Sequence, residues 1–191
     1  PRIPGYLTSL TLAASFVLIV LSQASEASVV LIQSDSGMDL LKIDGFSRLF
    51  EMLFIGAILA ASLASLDRLP SKKGETDDAD TLYNNRRQVD FYILLLTTAL
   101  GMSIVALAQD LFILFIGLEL ASLSTYVLVA FQKESKSGSE AGVKYFIVGS
   151  VASGVGLYGL SLLYLWAGSL QFDVLSAAWD AGAPALALVG L

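Results

Sequence analysis

The chain has 191 residues, 55% of them hydrophobic and 15% charged, and a mean hydropathy of +0.74, a composition of membrane proteins rather than soluble domains. A formal net charge of -6 argues against a nucleic-acid surface. The absence of cysteine and histidine excludes disulfides, thiolate-held iron–sulfur clusters and a thiol nucleophile, and removes the usual haem ligand and proton shuttle. Any proton chemistry must run on carboxylates, lysines, tyrosines and water.

The chain opens on Pro1 without the charged start and cleavage site of a signal peptide, so it reads as a piece of a longer protein. Hydropathy predicts an all-α membrane protein, a polytopic helix bundle of five full spans and the start of a sixth. Residues 6–23 form the first span. Residues 24–47 are mixed. VVLI and DLLKIDGF flank a Gly-containing turn and predict a small hairpin at the membrane surface. The second span, 48–66, carries Gly56, Ala57, Ala60, Ala61, Ser62 and Ala64, small residues that let helices approach closely in lipid. Residues 67–90 read as a polar connecting loop containing ETDDAD.

Spans three and four, 91–108 and 110–131, join through a very short turn and form an antiparallel hairpin. A polar loop leads into the fifth span, 141–166, which is rich in glycine and serine and holds the run GSVASG. Residues 167–181 read as a loop, and the apolar stretch 184–191 as the beginning of the next helix. Under this parse Arg2, Arg68, Lys72, Lys73, Arg86, Arg87, Lys133 and Lys136 fall on one side, against Lys42 and Arg48 on the other. The positive-inside rule then places the richer side in the cytoplasm or its organellar equivalent.

Two charges fall well inside spans: Glu119 and Lys144. An ionised side chain at that depth costs about 2.5 kcal/mol or more on insertion scales, so it calls for a partner or a function. Glu119 lies ~18 Å from the basic end of its helix, and Lys144 one or two turns from the same end of the next. Lysine reach, helix tilt and a bridging water predict a Glu119–Lys144 pair. Such a pair exchanges neutral and charged states by moving one proton, the requirement for proton relay without histidine. The alternative is a structural ion pair that sets the register of two helices. Ser122, Tyr126, Tyr145 and Ser150 are candidates to line a hydrated path, or to serve as ordinary helix packing. Glu51 stands three residues after Arg48 and predicts an interfacial pair; Asp110 predicts a helix cap.

GLELASLSTYVLVAF followed by SEAGVKYFIVGSVASGVGLYGLSLLY resembles the antiporter-like subunit N (subunit 2) of respiratory complex I, including its F420H2 dehydrogenase relatives. The family's Gly-x-Glu-Leu-x-Ser-Leu run corresponds to residues 117–123, and its Glu-Ala-x-x-Lys-Tyr run to 140–145. LLKIDGFSRLFEML resembles the element preceding the family's third helix. The resemblance implies the N-terminal part of a fold of roughly fourteen helices with inverted repeats and discontinuous helices. It implies proton relay through Glu119 and Lys144 in a subunit without redox cofactor or metal. The partners would be other membrane-arm subunits and the lipid bilayer, the setting a cell or organellar inner membrane. The complex would couple electron transfer, to quinone or a similar carrier, to proton pumping. Other readings are a subunit of an Mrp-type sodium/proton antiporter or membrane-bound hydrogenase, and a structural membrane subunit.

Overall fold

A computed structural model describes residues 3–23, 28–34, 37–66, 79–132, 135–182 and 190, with 79–85 as backbone only. Among the described residues five helices are long and apolar enough to cross a bilayer: α1 (Ile3–Ser22), α2 (Gly45–Ser65), α3 (Ala79–Leu107), α4 (Leu111–Val129) and α5 (Lys136–Ala167). In α3 the apolar stretch is Arg86–Leu107. The expected helix bundle of five spans is therefore present. The helix of α3 begins at Ala79, well inside the segment read as a loop, because nothing in 79–90 breaks a helix. α5 likewise starts at Lys136, where the Ser135 hydroxyl caps the Gly138 amide at 3.2 Å. The supposed loop at 167–181 holds a further helix, α6 (Phe172–Asp180). The apolar 184–191 stretch lies outside the described residues, apart from Gly190.

The expected hairpin forms. β1 (Val29–Gln33) pairs antiparallel with β2 (Asp39–Ile43), and Gly37 supplies the positive φ of 78° in the turn. Asp44 then starts α2. Its carboxylate accepts from the Ser47 amide at 2.8 Å while the Asp44 amide donates to the Ser47 hydroxyl at 2.7 Å. This reciprocal cap gives the Asp-Gly-Phe-Ser sequence a physical role, since it satisfies amide donors that the first turn of a helix leaves without backbone partners.

α1, α2 and α3 share an apolar core of Leu12, Ile55, Ile58, Tyr92, Leu95 and Ala99. Inside it the Ser9 and Ser62 hydroxyls bond at 2.8 Å, and Ser62 is fully buried. Interhelical hydroxyl bonds of this kind contribute where the solvent is lipid and the hydrophobic effect between helices is weak. Backbone bonds clasp the end of the bundle that carries the hairpin. The Gln109 amide donates to Leu40 O at 3.0 Å, Leu111 to Leu170 O at 2.9 Å, and Phe172 to Gln109 O at 3.2 Å. The hairpin, the α3–α4 turn and the α5–α6 connection are thereby tied together, which sets how α4 and α5 enter the membrane side by side.

Candidate functional site

α4 is held from both faces. Asp110 caps its start, its carboxylate accepting from the Phe112 amide at 2.8 Å and from Ile113 at 3.2 Å. That agrees with the cap read from the sequence. On one face Gly117 meets Gly101 of α3. A Cβ at Gly101 would stand 2.6 Å from Ala121 N and 2.8 Å from Gly117 O, so the two backbones touch. Glu119 follows Gly117 by two residues, about 200° around the helix, and so points away from α3 and toward α5.

The antiparallel α5 receives α4 on its small residues. A Cβ at Gly142 would lie in contact with the Ala130 Cβ. One at Gly149 would overlap the Tyr126 ring and hydroxyl, and Gly156 faces the Phe115 ring at 3.8 Å. Between the last two rungs Glu119 Oε1 accepts a 2.5 Å hydrogen bond from Ser153 Oγ. Ser153 Oγ also lies 3.0 Å from Gly149 O, one turn back on its own helix.

The structure does not bring Glu119 and Lys144 together. Lys144 Nζ instead pairs with Glu140 Oε1 at 2.5 Å, one turn earlier on α5, and both side chains are exposed, 73% and 58%. The reason is helical phase. Gly142, on the face toward α4, precedes Lys144 by two residues, which turns the lysine to the opposite side. Depth made the pair plausible; rotation prevents it.

The other candidates divide. Tyr126 is buried at 8% exposure and stacks edge-on against Tyr145 at 4.8 Å and Phe146 at 6.0 Å. Tyr145 is 46% exposed, Ser150 is exposed, and Ser122 is half-buried one turn beyond Glu119. Ser153, not Ser150, is the hydroxyl at the carboxylate. The signal for it is the series Gly142, Gly149, Ser153, Gly156, whose steps of seven, four and three mark one helix face. Glu51, read as a partner for Arg48, shares a side-chain hydrogen bond with Ser103 of α3, and Arg48 is itself buried at 5% exposure. Each of these two carboxylates within a span thus meets a serine of a neighbouring helix. Among the described residues no group of three or more acidic, histidine or cysteine side chains is placed to hold a metal ion.

A carboxylate bonded to a single hydroxyl between two apolar helices can do one simple thing. The serine proton points at Glu119 when the carboxylate is ionised. When Glu119 is protonated it becomes the donor, and the serine proton is free to turn to Gly149 O. Neither state leaves the serine unsatisfied.

Five apolar helices of spanning length, with a carboxylate held between two of them, define a polytopic helical membrane protein. Residues 108–190 match the family model described as NADH:quinone oxidoreductase/Mrp antiporter, TM. It is 33% identical to NADH-quinone oxidoreductase subunit N of Sphingopyxis alaskensis, over 90% of this chain and 33% of the relative. It is 34% identical to F(420)H(2) dehydrogenase subunit N of Methanosarcina mazei, over 92% of this chain and 33% of the relative. A chain of respiratory complex I from Thermus thermophilus with bound aureothin superposes with a TM-score of 0.68 at 26% identity, covering 100% of this chain and 38% of that one. A chain of the membrane-bound sulfane sulfur reductase, an archaeal respiratory membrane complex, gives 0.67 at 25%, covering 99% and 36%. The resemblance to subunit N holds. The chain spans about a third of the length of the curated relatives it matches.

Proposed function

We propose that the chain is part of an antiporter-like subunit of a complex I-type membrane dehydrogenase, and that Glu119 is a proton relay point within it. The observation that carries this reading is the Glu119–Ser153 bond between α4 and α5. It supplies a protonatable group and a hydroxyl that serves both of its states, inside an apolar bundle. Lys144, with Glu140 as its counter-ion, is the second relay group in this scheme. Because it leaves α5 on the far face, proton exchange with Glu119 runs through intervening water or hydroxyl groups rather than by direct contact. The redox chemistry belongs to other subunits of the complex, and the end bearing Arg86, Arg87 and Lys136 faces the cytoplasm or its organellar counterpart.

The test is Glu119→Gln in the whole complex, with donor oxidation and proton uptake measured together in sealed vesicles. Electron transfer with a lowered proton yield is the expected outcome; an unchanged yield removes Glu119 from the path. The family description also covers Mrp antiporters. A sodium-driven pH change in vesicles without any electron donor would favour that reading.

A further inference from the structure

α3, α4 and α5 line a half-open cavity of about 890 Å³ at the end of the bundle opposite the hairpin. Glu119 and Ser153 are not among the residues that line it, although Tyr126 is, and its walls differ by depth. At the rim stand Arg86 and Arg87, at the start of the apolar stretch of α3, and Ser139 in the first turn of α5. Further in, Ile93, Val127 and Phe146 line it, each about half exposed. Arg87 is fixed in place: its Nη2 donates to Phe131 O at 3.1 Å and its guanidinium lies 5.4 Å from the centre of the Phe131 ring. Asp90 also borders the cavity and offsets part of the positive charge, leaving the rim net cationic.

We infer that this cavity binds one anionic phospholipid of the membrane. The phosphate would rest on Arg86, Arg87 and the Ser139 hydroxyl, near the positive end of the α5 dipole. An acyl chain would lie along Ile93, Val127 and Phe146. Charge and depth together select this ligand. A cationic rim at the membrane boundary above an apolar wall fits an amphiphile with a negative head, and a basic pocket between spans is a recognised lipid site. Neither a free phosphate nor a neutral lipid uses both halves. The inference does not depend on the proton-relay reading, since none of these residues belongs to it.

The test places a thiol at Val127 in the full-length subunit within its complex; this chain contributes no other cysteine. A fluorophore on V127C is then read in nanodiscs of phosphatidylcholine containing a minor fraction of brominated phosphatidylglycerol or brominated phosphatidylcholine, with label on the unsubstituted complex as background. Brominated phosphatidylglycerol should quench at a lower mole fraction than brominated phosphatidylcholine. R86Q should reduce that preference about fivefold, the worth of one basic side chain near an anionic headgroup, and R86K should retain it. Equal quenching by the two lipids, or a preference untouched by R86Q, overturns the proposal. Absence of quenching by either lipid also overturns it, because polypeptide then fills the cavity. Quenching reports no proton movement, so its failure leaves the function of Glu119 to its own test.

Discussion

Ser153 Oγ lies 2.5 Å from Glu119 Oε1 and 3.0 Å from Gly149 O, one hydroxyl between a carboxylate on the facing helix and a carbonyl on its own. The hydroxyl has one proton and two acceptors, so its orientation reports the charge on Glu119. Replacing it removes the hydrogen-bond partner of the carboxylate without removing the carboxylate. Ser153→Ala should therefore lower proton translocation about tenfold while electron transfer persists, since a hydrogen bond to a charged group contributes about 1.5 kcal/mol or more. The ratio of protons moved to electrons transferred is the measurement. A ratio equal to that of the parent complex would show that the bond is packing only.

Lys144 and Glu140 form an exposed pair at i, i+4 spacing, with Glu140 on the N-terminal side. Such pairs contribute about 0.3–0.5 kcal/mol to a helix. Reversing them, as Glu140→Lys with Lys144→Glu, should change thermal stability by less than about 0.5 kcal/mol, since only a small pair term is altered. If Lys144 is a relay group, the reversed pair should still pump poorly, because the basic group has moved one turn along α5. Normal pumping by the reversed pair would assign Lys144 a structural role.

Gly149 leaves the space that Tyr126 occupies. A Cβ there would overlap both the tyrosine hydroxyl and Cζ. Gly149→Ala should destabilise the subunit by about 1–3 kcal/mol through overpacking. Tyr126→Phe should not relieve it, because Cζ remains; Tyr126→Leu should relieve part of it. A double-mutant cycle of thermal unfolding in detergent measures the coupling. Additive effects would place the glycine's role elsewhere.

Two glycines, one on each helix that flanks α4, should behave oppositely. At Gly101 an added Cβ meets the Ala121 and Gly117 backbones, which no rotamer change can clear. At Gly154 it meets nothing within 4 Å. Gly101→Ala should impair assembly of the α3–α4 hairpin. Gly154→Ala should be neutral or stabilise α5 by about 0.5–1 kcal/mol, as an alanine restricts the unfolded chain. The amount of folded subunit in the membrane and its melting temperature distinguish the two, and equal behaviour would contradict the backbone contact between α3 and α4.

Much of this architecture is written in local sequence. Each of the five spans is an apolar stretch long enough to cross hydrocarbon, and lipid leaves a helix as the only way for such a stretch to satisfy its backbone. The hairpin and the Asp110 cap are equally local, because their bonds close within a few residues. Polarity misled at 79–90, where charged residues without a breaker continue a helix, and at 172–180, where a short helix lies beyond the span. The partner of Glu119 needed tertiary structure. Sequence supplies the depth of a side chain in a span, but a helix turns 100° per residue, and the face that meets a neighbour is set where backbones touch. Gly101 against Gly117 rotates Glu119 toward α5, and Gly142, Gly149 and Gly156 rotate Ser153 toward it and Lys144 away. The carboxylate is readable from the chain alone. Its serine follows from how three helices seat their glycines.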